Sequence, residues 1–412
     1  MKLDDAQLAM RRGTAGPAVQ WAIEQQIEVG RFFGAERLIP VGSVLAGAEI
    51  GITGASGLAL LERLAADAAR VRVPSFTAAC SLDFERWAEF RLPFAQYAAE
   101  RRLHDALRKM GFIDTSTCVN YQSVSPPRFR EHLGWGDTGA VAFANSAAGA
   151  CSNYEGGPAS IAAALTGLVP EYGFHLPERR RATRLYEVTT PLRGISDWSA
   201  LGAWIGADVK DYWSVPAVLL RGAGPTIDEL KHCLAAAASF GSLAMMHLVG
   251  ATPEAATLEA AFGDTPAPAP RRIGRAEIDG VYQGFSGEGG KVDLVVFSAP
   301  QASLPEAVAI IEQLQGRRVA AGTRLIITVN HQVQAELERL GEVQRLTEAG
   351  GELLAGTCFY VMAPALVREQ FNFRHLVTPS CKLANILGGA GYRPALRSVD
   401  ECVEAAVAGV LR

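Results

Sequence analysis

The sequence predicts an α/β protein in which parallel sheets are wrapped by helices. Short apolar runs end in glycine or proline loops and lead into amphipathic stretches, the rhythm of strand, loop and helix that parallel sheets require. The chain has 412 residues, and single cores stop growing near about 250–300 residues, so more than one core is expected. Its composition of 49% hydrophobic and 20% charged residues suits packed cores and excludes a disordered chain. With 39 basic residues against 43 acidic, net charge is −4; the densest basic run, ERRRATR at 178–184, is short. That balance argues against a nucleic-acid binder. No uninterrupted apolar run reaches the ~18 residues of a membrane span, and MKLDDAQLAMRRG lacks the apolar core of a secretory signal. A cytoplasmic enzyme, bound neither to nucleic acid nor to membrane, is the expectation.

The elements follow in order. Residues 4–34 read as helices, with apolar residues at helical spacing. RLIPVG (37–42) reads as a short strand running into a glycine-rich loop, GSVLAGAEIG. A helix is expected over 56–68 and a strand over 71–76. The helix 92–110 should stop at Gly111, a suitable left-handed cap. Residues 141–176 are rich in small side chains, which allow close backbone approach. AVLLRG starts a strand, helix and second apolar run within 217–250. GDTPAPAPRRIG (263–274) reads as a linker. It separates an N-terminal region of two subdomains (1–262) from a C-terminal α/β domain (275–412), where KVDLVVFSAP and RLIITVN alternate with helices. The glycine run at 284–290 precedes a strand, the wrong order for a phosphate cradle, and reads as a turn.

Stock catalytic motifs are absent, including HExxH and GxSxG. The seven histidines show no paired ligand spacing; His175, in a turn after the small-residue segment, is the best candidate to touch a substrate. Seven cysteines form no CxxC, and their odd number suits reduced thiols rather than a disulfide framework. Cys118 lies in a polar loop, Cys358 where an apolar run meets a glycine, and Cys381 at a strand end beside Lys382. Strand ends of open α/β sheets gather catalytic groups, and a neighbouring cation lowers a thiol pKa. Core packing explains Cys233 and Cys402 well. For any one cysteine packing competes with ligation, yet three in polar loops suggest a shared metal site.

Taken in order, LDDAQLAMRRGTAGPAVQWAI, ERLIPVGS, the TC of DTSTCVNY, VAFANSAAGACSNYEGG, LTGLVPEYGFHLPERR, MMHLVGATPEA, VDLVVFSAP, AGGELLAGTC and LVTPSCK resemble the large subunit of the aconitase X family. The likeness runs from about residue 3 to 405. It implies several α/β/α layered domains around a central cleft, with the family's small swivelling domain absent from this chain and expected as a separate small partner subunit. It implies a hydro-lyase that dehydrates a small β-hydroxy acid with the help of an iron–sulfur cluster or iron. Cys118 and Cys358 match two cluster ligands of the family, but Ala299 stands where its third cysteine is expected. Cys381, then Cys151, are the candidates to replace it. Lys382, Ser380 and Asp137 are the expected catalytic residues, Asp137 standing where the family more often has glutamate; Ser43, Asn145, Ser146 and His175 are expected to line the substrate. Ala78 and Ala79 replace an asparagine–proline pair of the family, and a histidine-containing loop is shortened to GSVLAG. The expected substrate is cis-3-hydroxy-L-proline, giving 1-pyrroline-2-carboxylate. Mevalonate 5-phosphate, a cluster-free lyase or isomerase, and a non-catalytic binding subunit are the alternatives.

Overall fold

The computed structural model describes residues 1–287 and 289–411. Three parallel sheets carry the molecule. The first has Ser43–Ala46 at its centre, flanked by Ser75–Thr77 and Leu133–Trp135. The second runs His247–Leu248, Pro216–Leu220, Arg184–Val188, Arg271–Ile273. The third runs Gly351–Ala355, Arg324–Val329, Leu294–Phe297, His375–Thr378, Arg393–Leu396. Each strand returns through a helix, as parallel pairing demands.

The helical expectations over 4–34 hold as Asp5–Arg11, closed by an Asp4–Gln7 capping box, and Pro17–Phe32, which opens on proline. Helix Phe94–Met110 ends on Gly111 at φ 95°. The helix expected over 56–68 begins earlier, at Ile50, with a break at Gly54. The strand expected over 71–76 is confined to Ser75–Thr77. Two readings change more. GSVLAG is not a loop: Ser43–Ala46 is a wholly buried central strand, whose short apolar run lacks the alternation that marks a half-exposed one. The 263–274 stretch does not stay a linker to its end, because Arg271–Ile273 pairs with Arg184–Val188. The glycine run at 284–290 includes Glu288, which lies outside the described residues.

Helices Gly194–Val209 and Ile227–Gly241 cross in intimate contact. A Cβ on Gly202 would lie 1.9 Å from the Cys233 carbonyl oxygen, and one on Gly241 would lie 2.2 Å from that of Gly206. Glycine is required there by the close approach of the backbones.

The first and third sheets meet through loops at their carboxyl ends. Ala355 N–H donates to the Asp83 carboxylate at 2.9 Å, Cys80 N–H to the Gly356 carbonyl at 2.8 Å, and Thr357 Oγ1 to the Cys80 carbonyl at 2.8 Å. The carboxyl ends of two parallel sheets therefore close on one region, where such sheets place ligands.

Candidate active site

The loops leaving those strand ends bring the polar and thiol groups together. After Phe297 come Ser298, Ala299 and Gln301; after Ala355 comes Cys358; after Thr378 come Ser380 and Lys382. From the first sheet, the segment after Ala46 brings Glu49 and the turn after Trp135 brings Asp137. Cys118 arrives on the loop between helices Phe94–Met110 and Asn120–Ser123.

Gln301 holds the loops in register. Its side-chain oxygen accepts from Thr117 Oγ1 at 2.8 Å and from Cys118 N–H at 3.3 Å. Its amide nitrogen donates to the carbonyls of Ser116, Val329 and Thr357 at 3.3, 3.2 and 3.0 Å. Its backbone N–H points to Cys118 Sγ at 3.5 Å. Beneath it, buried Lys231 donates to the Gln301 carbonyl at 3.2 Å while paired with Asp228 and Glu306.

Cys118 and Cys358 are buried against each other. The hydrogen bond with Cys358, then burial, push the Cys118 thiol well above its ordinary range. Burial acts to raise Cys358 too, but hydrogen bonds from Cys118 and Ser298, the charge of Lys382 and the Ala299 N–H outweigh it and hold that thiol low. Of the pair, Cys358 is the thiol its surroundings favour for deprotonation, and the thiolate is the form that binds metal. Asp137 caps helix Thr138–Phe143 by accepting from Ala140 N–H at 2.8 Å. Asp137 Oδ1 lies 3.4 Å and Lys382 Nζ 3.6 Å from the position a Cβ on Gly139 would take, so the two groups converge there. Lys382 Nζ also sits 5.4 Å above the Tyr360 ring.

Several expected residues are committed elsewhere. Cys381 is not beside the pair: its N–H donates to Ser199 Oγ at 2.8 Å, and its thiol lies toward Cys233. As the first residue of helix Cys381–Gly389 it is turned into the crossing helices, away from Lys382. Cys151 bridges to His132 and lies near Arg130 and Arg180. Ser380 uses its hydroxyl to cap its helix and to donate to the Ala299 carbonyl at 2.6 Å, so it positions that turn. Ser43 accepts from Trp135 Nε1 at 3.1 Å. Ser146 accepts from Met246 N–H at 2.9 Å. Asn145 spends its side chain on Ser152, Ala244 and Arg180. His175 meets His132 at 3.0 Å, and burial holds it neutral, its pKa lowered to about 3. Ser43, Ser146 and Asn145 thus spend their side chains on protein partners, while His175 keeps a buried Nε2 without one.

Other groups in the cleft lack a sequence signature. Glu49 is buried, and one of its carboxylate oxygens has no partner. Burial, with smaller contributions from Glu100 and Asp137, raises its pKa to about 8. Two residues beyond Cys118, Asn120 is fully buried with both side-chain polar atoms unpartnered. Its place beside TC was the available signal; for Glu49 and Gln301 there was none, because burial creates their roles.

A cluster held by three cysteines does not fit this site: Ala299, whose N–H faces Cys358, offers no donor atom beyond its backbone.

Comparison with known proteins decides the family. Models of the aconitase X first, second and third domains match residues 1–178, 182–283 and 292–408. The phosphomevalonate dehydratase large subunit of Methanothermobacter thermautotrophicus is 33% identical over 94% of each chain. The chain belongs to the aconitase X family. The cis-3-hydroxy-L-proline dehydratase of Pseudomonas aeruginosa is 33% identical, over 99% of this chain and 70% of that protein. The holo-form crystal structure of Thermococcus kodakaraensis aconitase X superposes with a TM-score of 0.89 at 29% identity, covering 98% of this chain and all of that one. These aconitase X relatives are dehydratases, and the chain is an enzyme of that hydro-lyase class. Family membership, with a buried Cys–Glu–His group at residues 80, 100 and 104, is compatible with iron. The name "large subunit" carried by several relatives implies a smaller partner for them. Among the described residues no helix is long and apolar enough to cross a membrane.

Proposed function

We propose that this chain is the large subunit of a hydro-lyase that dehydrates cis-3-hydroxy-L-proline, completed by a small swivelling-domain subunit. The observation carrying this reading is the convergence of Cys118, Cys358, Lys382, Asp137 and Glu49 at the joined carboxyl ends of two parallel sheets. Iron held by Cys118 and Cys358 would supply a Lewis acid for the leaving hydroxyl.

The protein's own residues account for the rest. Lys382 pairs with the substrate carboxylate and fixes the ring. Asp137 takes the proton from C2 as the C3–O bond breaks. Glu49, protonated at neutral pH, donates its proton so that the hydroxyl leaves as water. The enamine product then tautomerises to 1-pyrroline-2-carboxylate. One lysine beside two carboxyl groups suits a zwitterion better than mevalonate 5-phosphate, whose phosphate and carboxylate call for several cations.

The second reading, mevalonate 5-phosphate, is favoured by the relatives of that activity that match along nearly their whole length. The test is anaerobic reconstitution with iron and the small subunit, followed by assay with hydroxyproline isomers and mevalonate 5-phosphate. Dehydration of cis-3-hydroxy-L-proline is expected. Turnover of the phosphate alone selects the second reading, and binding without turnover of either removes both substrate readings.

A further inference from the structure

Behind the cysteine pair lies a second constellation that the dehydration chemistry does not use. Glu100 and His104 are one turn apart on helix Phe94–Met110 and present their side chains on the same face. Cys80 comes from the loop after Ser75–Thr77 to meet them. Cys80 Sγ is 3.4 Å from His104 Nε2, which is 3.7 Å from Glu100 Oε1. One ligand atom from each residue lies within 4.8 Å of the other two, and all three residues are buried.

The surroundings prepare these atoms as ligands. His104 Nδ1 is 3.0 Å from Asp114 Oδ2, which Arg108 Nη2 also contacts at 2.8 Å. A carboxylate on the far nitrogen fixes the tautomer and aims the lone pair of Nε2 toward Cys80 and Glu100, the arrangement that backs metal-bound histidines. Glu100 is oriented by the N–H groups of Ile50 and Ser81 at 2.8 and 2.9 Å, which leaves it lone pairs to spare. Ser116 Oγ lies 2.9 Å from Cys80 Sγ, close to where a further oxygen ligand would stand.

We propose that Cys80, Glu100 and His104 bind one divalent transition-metal ion, Zn²⁺ or Fe²⁺, at a structural site separate from Cys118 and Cys358. A thiolate, an imidazole and a carboxylate are the donor set such ions take. Charge closes as well: the ion's two positive charges cancel the Cys80 thiolate and Glu100, while Arg108 answers Asp114. Binding releases the thiol proton of Cys80 and any proton on His104, so affinity rises with pH. The ion would tie helix Phe94–Met110 to the Cys80 loop, which already holds Gly356 and Thr357 next to Cys358. The inference stands apart from the dehydratase reading.

The test uses the reduced, metal-stripped full chain carrying Cys118→Ala and Cys358→Ala, titrated with Co²⁺ and then competed with Zn²⁺ and Fe²⁺. One equivalent of Co²⁺ should bind with thiolate-to-cobalt absorption, lost in Cys80→Ser and weakened at least tenfold in His104→Gln. Asp114→Asn keeps every ligand and should weaken binding ~10–100-fold, which preserves the test if Cys80→Ser does not fold. No absorption in the parent chain, or affinity unchanged in Asp114→Asn, overturns the site.

Discussion

Ala299 presents a methyl group at the position where the family resemblance leads to the expectation of a third cysteine, yet its backbone already serves the cysteine pair. Its N–H faces Cys358, and its carbonyl is held by Ser380. Ala299→Cys should therefore place a third sulfur at a prepared position. Iron and sulfide per chain after anaerobic reconstitution should rise above wild type; unchanged content would show that the turn is not directed at the pair. Asp137→Asn preserves the helix cap, because asparagine caps as well as aspartate, but it removes the base. Turnover should fall roughly 10²–10⁴-fold with little change in melting temperature. Cys118 and Cys358 were legible because each sits in a polar or glycine-bounded loop at an element boundary. Cys381 misled because adjacency to Lys382 in sequence says nothing about direction: on a helix, neighbours point about 100° apart.

At the scale of elements, the helix pair Gly194–Val209 and Ile227–Gly241 is the rigid wall behind Cys381. Gly202→Ala would drive a methyl into the Cys233 carbonyl. Overpacking of that kind costs about 1–3 kcal/mol, to be read as a lower denaturant midpoint, whereas an exposed glycine with open space such as Gly280 should tolerate alanine. The helices announced themselves through period, caps and glycine stops. The strand Ser43–Ala46 did not, because three buried apolar residues between glycines carry no period. Arg271–Ile273 stayed hidden for a different reason: two of its three residues are exposed, as at a sheet edge, and proline precedes it.

For the whole molecule, two buried carboxyl groups set a pH dependence. Glu49 is raised to about 8 by burial, with Glu100, Asp137 and His104 facing it, and Glu155 is raised to about 7 by burial alone. The folded state then holds more protons than the unfolded chain between the ordinary carboxyl range and about 8. Stability from these two groups is complete below that ordinary range and is lost as pH rises through the raised values. Buried His175, its pKa lowered to about 3, works the other way below the ordinary histidine range. Urea midpoints should therefore fall from pH about 6.5 to about 8, and Glu49→Gln should flatten that slope; a slope unchanged in that variant would contradict the burial argument. The most direct test of the central claim is product formation by the anaerobically reconstituted chain with its small subunit, wild type against Lys382→Met. Wild type should convert cis-3-hydroxy-L-proline to 1-pyrroline-2-carboxylate and Lys382→Met should lose most of that rate through a higher KM and lower kcat; equal rates in the two proteins would contradict the cleft assigned here.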